Sequence, residues 1–250
     1  FEDYDAIERS QLLDFYNTYY KNGACIIFVA GKLPANLPDL LEKNFGRLPL
    51  KPHIPSFLPS FDTEAAKEKK THVLNDPNGV QASIRVARPF PNRHHPDFLK
   101  MLVLNNIFGG FFGSRLMSNI REEKGYTYGI SSYLLNHIQE SGIMISTEAG
   151  REVMEATISE IYKELENLIQ KPVGKEELAI TRNFMIGSVL SGLDGPFNVI
   201  GRWKSMVLNG LDENYFYKSL ETIRTVTAKE LQELAEKYFN KNDFYQLTVI

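Results

Sequence analysis

The sequence has little of what marks a disulfide-stabilised, membrane-spanning or nucleic-acid-binding protein. Its 250 residues include one cysteine, Cys25, so no internal disulfide can form, and there is no Cys-x-x-Cys pair to hold a structural zinc. No apolar run approaches the roughly 20 residues that a membrane-spanning helix needs. The formal net charge is −3, from 28 basic and 31 acidic residues. The basic residues are scattered, which disfavours nucleic acid as the main partner.

The first residues also lack the features of a secretory signal or of a translation start. Residues 1–5 read Phe-Glu-Asp-Tyr-Asp, whereas a signal peptide begins with basic residues followed by an apolar segment. We interpret the chain as part of a longer protein. We expect it to be soluble, and its sequence does not identify a compartment. Its apolar content of 43% is ordinary for a globular chain with a hydrophobic core.

The spacing of apolar residues divides the chain into a short opening, an irregular stretch and one long region. Residues 7–20 have helical periodicity, and the apolar run 24–30 after them predicts a buried strand that contains Cys25. A short helix is predicted at 38–45. Four prolines and a charged run then predict an extended linker over residues 49–70.

The long region from residue 71 onward mixes strands and helices. Val73 and Leu74 predict one strand, and the alternation of Ala82, Ile84 and Val86 predicts a second that pairs with it across a turn. We therefore expect an α+β fold, in which an antiparallel sheet is covered by helices mainly on one face. The further predicted elements are a helix at 97–108, a helix capped by Ser114 and ended by Gly125, a hairpin over 126–147, a long helix at 154–168, two helices that meet at a break over 192–196, helices at 212–223 and 228–239, and a strand at 244–250.

The end of the chain resembles its beginning. Leu231 and Leu234 have the spacing of Leu12 and Phe15, and each pair precedes a predicted strand, at an offset of 231 − 12 = 219 residues. This suggests two copies of a unit of roughly 220 residues. We expect residues 1–48 to be the remnant of a first repeat, with about 140 of its residues preceding Phe1. Residues 71–250 would then form the second repeat.

The richest group of candidate functional residues lies between Gly109 and Gly129. Its glycines match neither of the common phosphate-binding patterns. Arg121 is predicted in the last turn of a helix and Tyr128 on the next strand, and a guanidinium and a phenol could together bind a carbonyl or carboxylate. A purely structural explanation is also open. In it Arg121 caps the helix and Tyr128 is a half-buried strand residue, and spacing alone favours this explanation.

A family resemblance reverses that preference. Gly109-Gly110, then Ser114-Arg115-Leu116, then Arg121-Glu122-x-x-Gly125-x-x-Tyr128 resemble the C-terminal part of a pitrilysin-like (inverted zincin) zinc metallopeptidase, similar to a processing-peptidase subunit. The resemblance implies two α+β repeats around a chamber, with the zinc motif H-x-x-E-H in the first repeat. It also implies that Arg121 and Tyr128, from the second, inactive repeat, bind the substrate carbonyl and stabilise the oxyanion.

The zinc motif itself is absent from the sequence. His137-Ile138-Gln139-Glu140 comes nearest, but Ser141 stands where a second histidine is needed, and a turn is predicted there instead of a helix. We predict no metal ligands and no catalytic residues in this chain. Zinc is expected in the parent protein or a partner subunit. The histidines are His53, His72, His94, His95 and His137.

The expected function is therefore that of a non-catalytic domain that shapes a peptide-binding chamber. Its substrate would be an extended peptide or unfolded polypeptide, which could add to an exposed edge of the sheet. Its partner would be a zinc-bearing repeat, in the same chain or in a second subunit, and the full-length protein is expected to be a dimer. The alternatives are a scaffold or assembly subunit that has lost proteolysis, and a plain peptide-binding module.

Overall fold

The described residues form two compact units in a computed structural model. Unit 1 consists of the described part of 1–64 together with 193–205, and unit 2 consists of the described part of 65–192 together with 206–250. Most of the predicted linker lies outside the residues that the structure describes. Those residues are 2–21, 25–47, 65–137 and 141–250.

Unit 1 begins with the predicted helical stretch. Helix α1 is Glu2–Asp5, and α2 is Arg9–Phe15, which continues as a π-helical turn, Tyr16–Lys21. Helix α3, Leu37–Phe45, has its proline in the first turn, where the missing N–H costs nothing. The helices predicted in this part of the chain are confirmed.

The strand predicted at 24–30 is wrong over residues 25–30, the part of it that the structure describes. Residues 25–30 form no strand, and most of their side chains, including that of Cys25, are exposed. An apolar run indicates a preference for burial, but a strand also needs a neighbour for its backbone hydrogen bonds. Residues 25–30 pair with no strand in the described part of the chain.

The described residues of unit 2 form one five-stranded sheet in the order β1-β5-β2-β4-β3. The predicted hairpin of β3 and β4 is confirmed, and the pairs β2–β4 and β2–β5 are also antiparallel. Only β1 runs parallel to its neighbour, β5. The strands are β1 Lys70–Val73, β2 Gln81–Pro89, β3 Thr127–Asn136, β4 Ser141–Gly150 and β5 Tyr245–Val249.

The predicted pairing of β1 with β2 is wrong, because β5 lies between them. The turn between the two strands does form, and the backbone N–H of Asn78 donates to Oδ1 of Asp76 at 2.9 Å. The N–H groups of Asn75 and Asp76, however, donate to the carbonyl of Ile250. Local turn residues predict a change of direction, whereas the last strand of the chain decides which strands become neighbours.

Helices cover one face of the sheet, as expected. Ile84 and Val86 of β2 and Ile145 of β4 are fully buried, and the residues between them face the opposite, more exposed side. The amphipathic helix α5 buries Ile158, Ile161 and other residues of its apolar stripe against this core. The helices of unit 2 are α4 Phe98–Asn105, continued by the π-helical turn Asn106–Gly110, the π-helical segment Met117–Glu123, α5 Met154–Gln170, α6 Lys175–Ser191, α8 Glu213–Thr225 and α9 Ala228–Tyr238. Helix α7, Pro196–Leu208, belongs to unit 1 up to residue 205.

The first turn of α9 provides a testable contribution to stability. Lys100 Nζ donates to Glu230 Oε1 at 2.8 Å, and Thr227 N donates to Glu230 Oε2 at 2.8 Å. These bonds lower the pKa of Glu230 from its usual 4.5 to about 2. Glu230→Ala is expected to reduce the free energy of unfolding by about 1 kcal/mol at pH 7, measured by urea denaturation.

The effect of Glu230→Ala should also depend on pH. Because the pKa is lower in the folded state, the carboxylate stabilises the fold above about pH 4.5, and this stabilisation is lost as the pH falls toward 2. Glu233→Ala is the control, since Glu233 lies on the same helix with only a loose pair to Lys229 at 3.7 Å. Equal effects of the two variants at pH 7 would contradict the assignment.

Candidate functional site

The Gly-Gly motif lets the π-helical turn at the end of α4 lie directly against β3. A Cβ atom at Gly109 would be 2.8 Å from the backbone nitrogen of Ser132, closer than such atoms approach. Next to this contact, Asn105 Nδ2 donates to the carbonyl of Ser132 at 2.9 Å, and Ser132 Oγ donates to Asn105 Oδ1 at 2.6 Å. Both side chains are buried, so this pair joins the helix firmly to the strand that carries Tyr128.

Arg121 lies in the last turn of the helical segment that follows the Gly-Gly motif. The segment ends as predicted at Gly125, which has a φ of +65° and donates its N–H to the carbonyl of Arg121. Tyr126 N donates to the carbonyl of Ile120 at 3.0 Å. Ser114 precedes the segment and its carbonyl accepts from the N–H of Ser118, but its buried hydroxyl bonds to no described residue, so the predicted side-chain cap is not formed.

Side-chain hydrogen bonds attach this segment to α5. Asn119 Nδ2 donates to Glu160 Oε2 at 2.9 Å and to Glu164 Oε1 at 2.7 Å. Lys124 Nζ donates to Asn119 Oδ1 at 2.7 Å. The bond from Asn119 lowers the pKa of Glu160, so this carboxylate stays charged near neutral pH. The backbone on both sides of Arg121 is therefore held in place.

The Arg121 side chain is held on two sides and has unused donors. Its Nη1 lies 3.1 Å from Glu122 Oε1, and its guanidinium carbon lies 4.8 Å from the centre of the Phe112 ring. The side chain is 34% exposed, and apart from the ion pair with Glu122 its guanidinium makes no hydrogen bond with the described residues. Arg121 therefore does not cap the helix end with its side chain, and its donors can bind an external acceptor.

A bulge in β3 turns Tyr128 out of the sheet. The register shifts between Thr127 and Ile130, and Thr147 Oγ1 donates to the carbonyl of Gly129 at 2.9 Å within this irregularity. Bulges of this kind re-aim a side chain. Tyr128 is 94% exposed, so the alternative of a half-buried strand residue is wrong. Arg121, which is half-buried, and Tyr128, which is exposed, thus lie on either side of the turn at Gly125.

The outer edge of β3 is partly occupied by other groups. The N–H of Ile130 points to Sδ of Met117 at 3.5 Å, and the carbonyl of Ser132 accepts from Asn105. A peptide could not form a regular ladder along this part of the edge. At the other end of the sheet, β1 pairs on one side only among the described residues.

Two clefts elsewhere in unit 2 are weaker candidates. One, of about 520 Å³, lies beside α5 and includes Arg115, which makes a bidentate ion pair with Glu177 at 2.7 and 2.9 Å. Asn119 and Lys124 also line it, and their polar groups are used within the protein. The other cleft, of about 360 Å³, includes His94, whose Nε2 bonds to the carbonyl of Asn209 at 2.9 Å.

No metal centre is found among the residues that the structure describes. No three His, Cys, Asp or Glu side chains there come together as metal ligands. His137 is exposed at the end of β3, and the other positions of its near-match, 138–140, lie outside the described residues. Within the same residues, no helix is both long enough and apolar enough to cross a membrane.

Known proteins are similar to this chain in sequence and in fold. The family model for the peptidase M16 inactive domain matches residues 6–185. An uncharacterised zinc protease of Bacillus subtilis, YmxG, is 25% identical over 256 residues, covering 98% of this chain and 58% of the relative. A protein of Helicobacter pylori described as a non-peptidase homologue is 26% identical over 198 residues, covering 74% of this chain and 42% of the relative.

A solved structure agrees with these matches. The crystal structure of a peptidase M16 inactive domain from Pseudomonas fluorescens has a TM-score of 0.78 at 21% identity, covering 98% of this chain and 58% of that one. At this level of identity the similarity shows the fold alone. The chain spans less than two thirds of the length of each of these relatives.

Proposed function

The chain belongs to the family of peptidase M16 inactive domains, and we propose that it is the non-catalytic, substrate-contacting part of a zinc-dependent peptidase. In this function it shapes the wall of a peptide-binding chamber and presents Arg121 and Tyr128 to the substrate. One observation supports it most directly. Apart from the ion pair of Nη1 with Glu122, the guanidinium of Arg121 bonds to no described residue, and Tyr128 is 94% exposed on the next strand.

The proposed chemistry is the binding of a peptide carbonyl. Arg121 would donate charge-assisted hydrogen bonds to the carbonyl oxygen, and the Tyr128 hydroxyl would donate a further one. Such bonds strengthen when the carbonyl is attacked and its oxygen becomes negative, so the pair favours the transition state over the bound substrate. In this proposal no residue of the chain is a nucleophile, general base or metal ligand.

The remaining catalytic machinery would lie outside this chain. None of its histidines has the H-x-x-E-H spacing, so the chain does not fit a zinc site by itself. We propose that zinc is held by a first repeat, in the same polypeptide or in a partner subunit. Residues 1–48 would be the end of that first repeat, 49–70 the linker, and 71–250 the inactive repeat. The active protein would pair the two repeats, or two subunits, around the substrate.

The partly occupied edge of β3 limits how a peptide can bind. Because Met117 and Asn105 occupy backbone positions on that edge, we propose that the substrate meets this domain through the side chains of Arg121 and Tyr128. Strand addition beside Tyr128 is therefore not part of the proposal. Among the described residues, β1 is the edge strand with exposed side chains and a single neighbour.

Replacing Arg121 tests the proposal directly. In the full-length protein, Arg121→Ala is expected to weaken the binding of an unfolded polypeptide by about tenfold to a hundredfold, since a hydrogen bond to a charged group contributes about 1.5–3 kcal/mol. The probe is fluorescein-labelled, reduced and carboxymethylated lactalbumin, and the measurement is fluorescence anisotropy. Tyr128→Phe, which removes only the hydroxyl, should cause a smaller loss of about threefold.

Matched substitutions outside the site serve as controls. Arg224→Ala removes an exposed arginine of α8, and Tyr217→Phe removes the hydroxyl of an exposed tyrosine of the same helix. Neither should change the affinity. If Arg121→Ala binds the polypeptide as the wild type does, the substrate-contact function is wrong. The scaffold alternative would then be the better explanation, and the description of the Helicobacter pylori relative as a non-peptidase homologue agrees with a loss of proteolysis.

A further inference from the structure

Phe112 stands out as a large aromatic side chain that is not buried. It is 62% exposed and lies in the connection between the Gly-Gly motif and the helical segment of Arg121. Its ring centre is 4.8 Å from the guanidinium carbon of Arg121, which is within the range of a cation–π interaction. We propose that Phe112 is a positioning residue, whose ring holds the Arg121 guanidinium in the orientation that binds substrate.

The connection around Phe112 is built to keep its ring at the surface. The preceding residue, Phe111, stacks on Phe184 of α6 with ring centres 4.6 Å apart. The following residue, Gly113, is tightly packed, because a Cβ there would be 2.8 Å from the Phe111 ring. Phe111 therefore anchors the connection to α6, and Phe112 is left on the side where it meets Arg121.

The arginine needs such support because its side chain is long and has several rotatable bonds. Fixing a free arginine on binding costs conformational entropy, and a prior contact reduces that cost. The guanidinium carbon lies over the Phe112 ring, and Oε1 of Glu122 lies 3.1 Å from Nη1. The remaining N–H groups stay free of described partners. The ring contact thus orients the donors without using any of them.

This inference rests on the proposed role of Arg121, and a double-mutant cycle separates the two. The measurement is the anisotropy of labelled, carboxymethylated lactalbumin with the full-length protein. Phe112→Leu keeps an apolar side chain but removes the ring, and is expected to weaken binding by about threefold to fivefold. Phe112→Tyr keeps the ring and should bind nearly as the wild type. Phe112→Leu combined with Arg121→Ala should bind no more weakly than Arg121→Ala alone.

The outcomes distinguish the positioning role of Phe112 from the proposed substrate contact of Arg121. If Arg121→Ala has no effect, the proposed function fails. If Arg121→Ala weakens binding but Phe112→Leu does not, or adds its full effect to that of Arg121→Ala, only the positioning role fails. Phe197→Leu is the matched control, because Phe197 is 73% exposed on α7, and it should leave affinity unchanged. Thermal unfolding checks that each variant folds.

A second measurement, by NMR, tests the contact between Phe112 and Arg121 without any ligand. In protein labelled with ¹³C-arginine, the ring of Phe112 should shift the δ-proton signal of Arg121 upfield. The Arg121→Lys spectrum assigns that signal. The shift should persist in Phe112→Tyr and disappear in Phe112→Leu. An unchanged Arg121 signal in Phe112→Leu would overturn the inference.

Discussion

Phe239→Ala is expected to lower the free energy of unfolding of unit 2 by about 3–5 kcal/mol. Phe239 is fully buried at the end of α9, and its ring centre lies 5.3 Å from that of Phe108, which is also fully buried. The two rings join α9 to the π-helical turn that contains the Gly-Gly motif. Removing one ring leaves a cavity that the surrounding helices and sheet cannot close.

The cost should appear in both thermal and urea unfolding. A loss of this size corresponds to a fall in Tm of about 10 °C for a chain of this length. Phe239→Leu preserves much of the volume and should cost only about 1 kcal/mol. Tyr217→Ala removes an exposed aromatic side chain of α8 and should cost less than about 0.5 kcal/mol. Similar losses for Phe239→Ala and Tyr217→Ala would show that the Phe108–Phe239 contact is not part of the core.

Gly109→Ala is expected to destabilise unit 2 by about 1–3 kcal/mol, although it adds a single methyl group. The new Cβ would meet the backbone nitrogen and Cβ of Ser132 at 2.8 Å and Cδ1 of Leu116 at 2.9 Å. A backbone atom of a paired strand cannot move away as a flexible side chain can. The π-helical turn would have to separate from β3, which would also strain the bonds between Asn105 and Ser132.

A second glycine offers a control in which substitution by alanine should raise the free energy of unfolding. Gly187 lies on an exposed face within α6, and a Cβ added there meets nothing within 4 Å. Gly187→Ala should therefore stabilise the protein by about 0.5–1 kcal/mol, because alanine favours a helix over glycine. The pair is measured by urea denaturation under identical conditions. A stabilising effect of Gly109→Ala would refute the close approach of the turn and β3.

At the candidate site, the local sequence predicted the positions of the residues but not their exposure. Helical spacing and the glycine that ends the helix placed Arg121 in a last turn and Tyr128 on the next strand, and both placements are confirmed. Their residue types alone left a structural explanation open. The exposure of Tyr128 depends on a bulge between β3 and β4, and bulges arise from pairing between strands, which the sequence of one strand does not encode.

Phe112 was missed for a similar reason. In the sequence it is one of two adjacent phenylalanines, and nothing local separates the residue that stacks on Phe184 from the residue that meets Arg121. Both contacts are made with residues distant in the chain or across a turn. The position of Phe112 between the Gly-Gly motif and Arg121 was the one feature of the sequence that could have indicated a role at the site.

The sequence by itself determined the α+β class, the position of most helices and strands, and the absence of the H-x-x-E-H motif. These features follow from short-range periodicity, turn residues and ligand spacing, which act within a few residues. The tertiary structure alone decided that β5 separates β1 from β2, that residues 25–30 form no strand, and that the edge of β3 is partly occupied. Those outcomes depend on which distant segments compete for the same backbone hydrogen bonds, and that competition is settled only when the whole chain has packed.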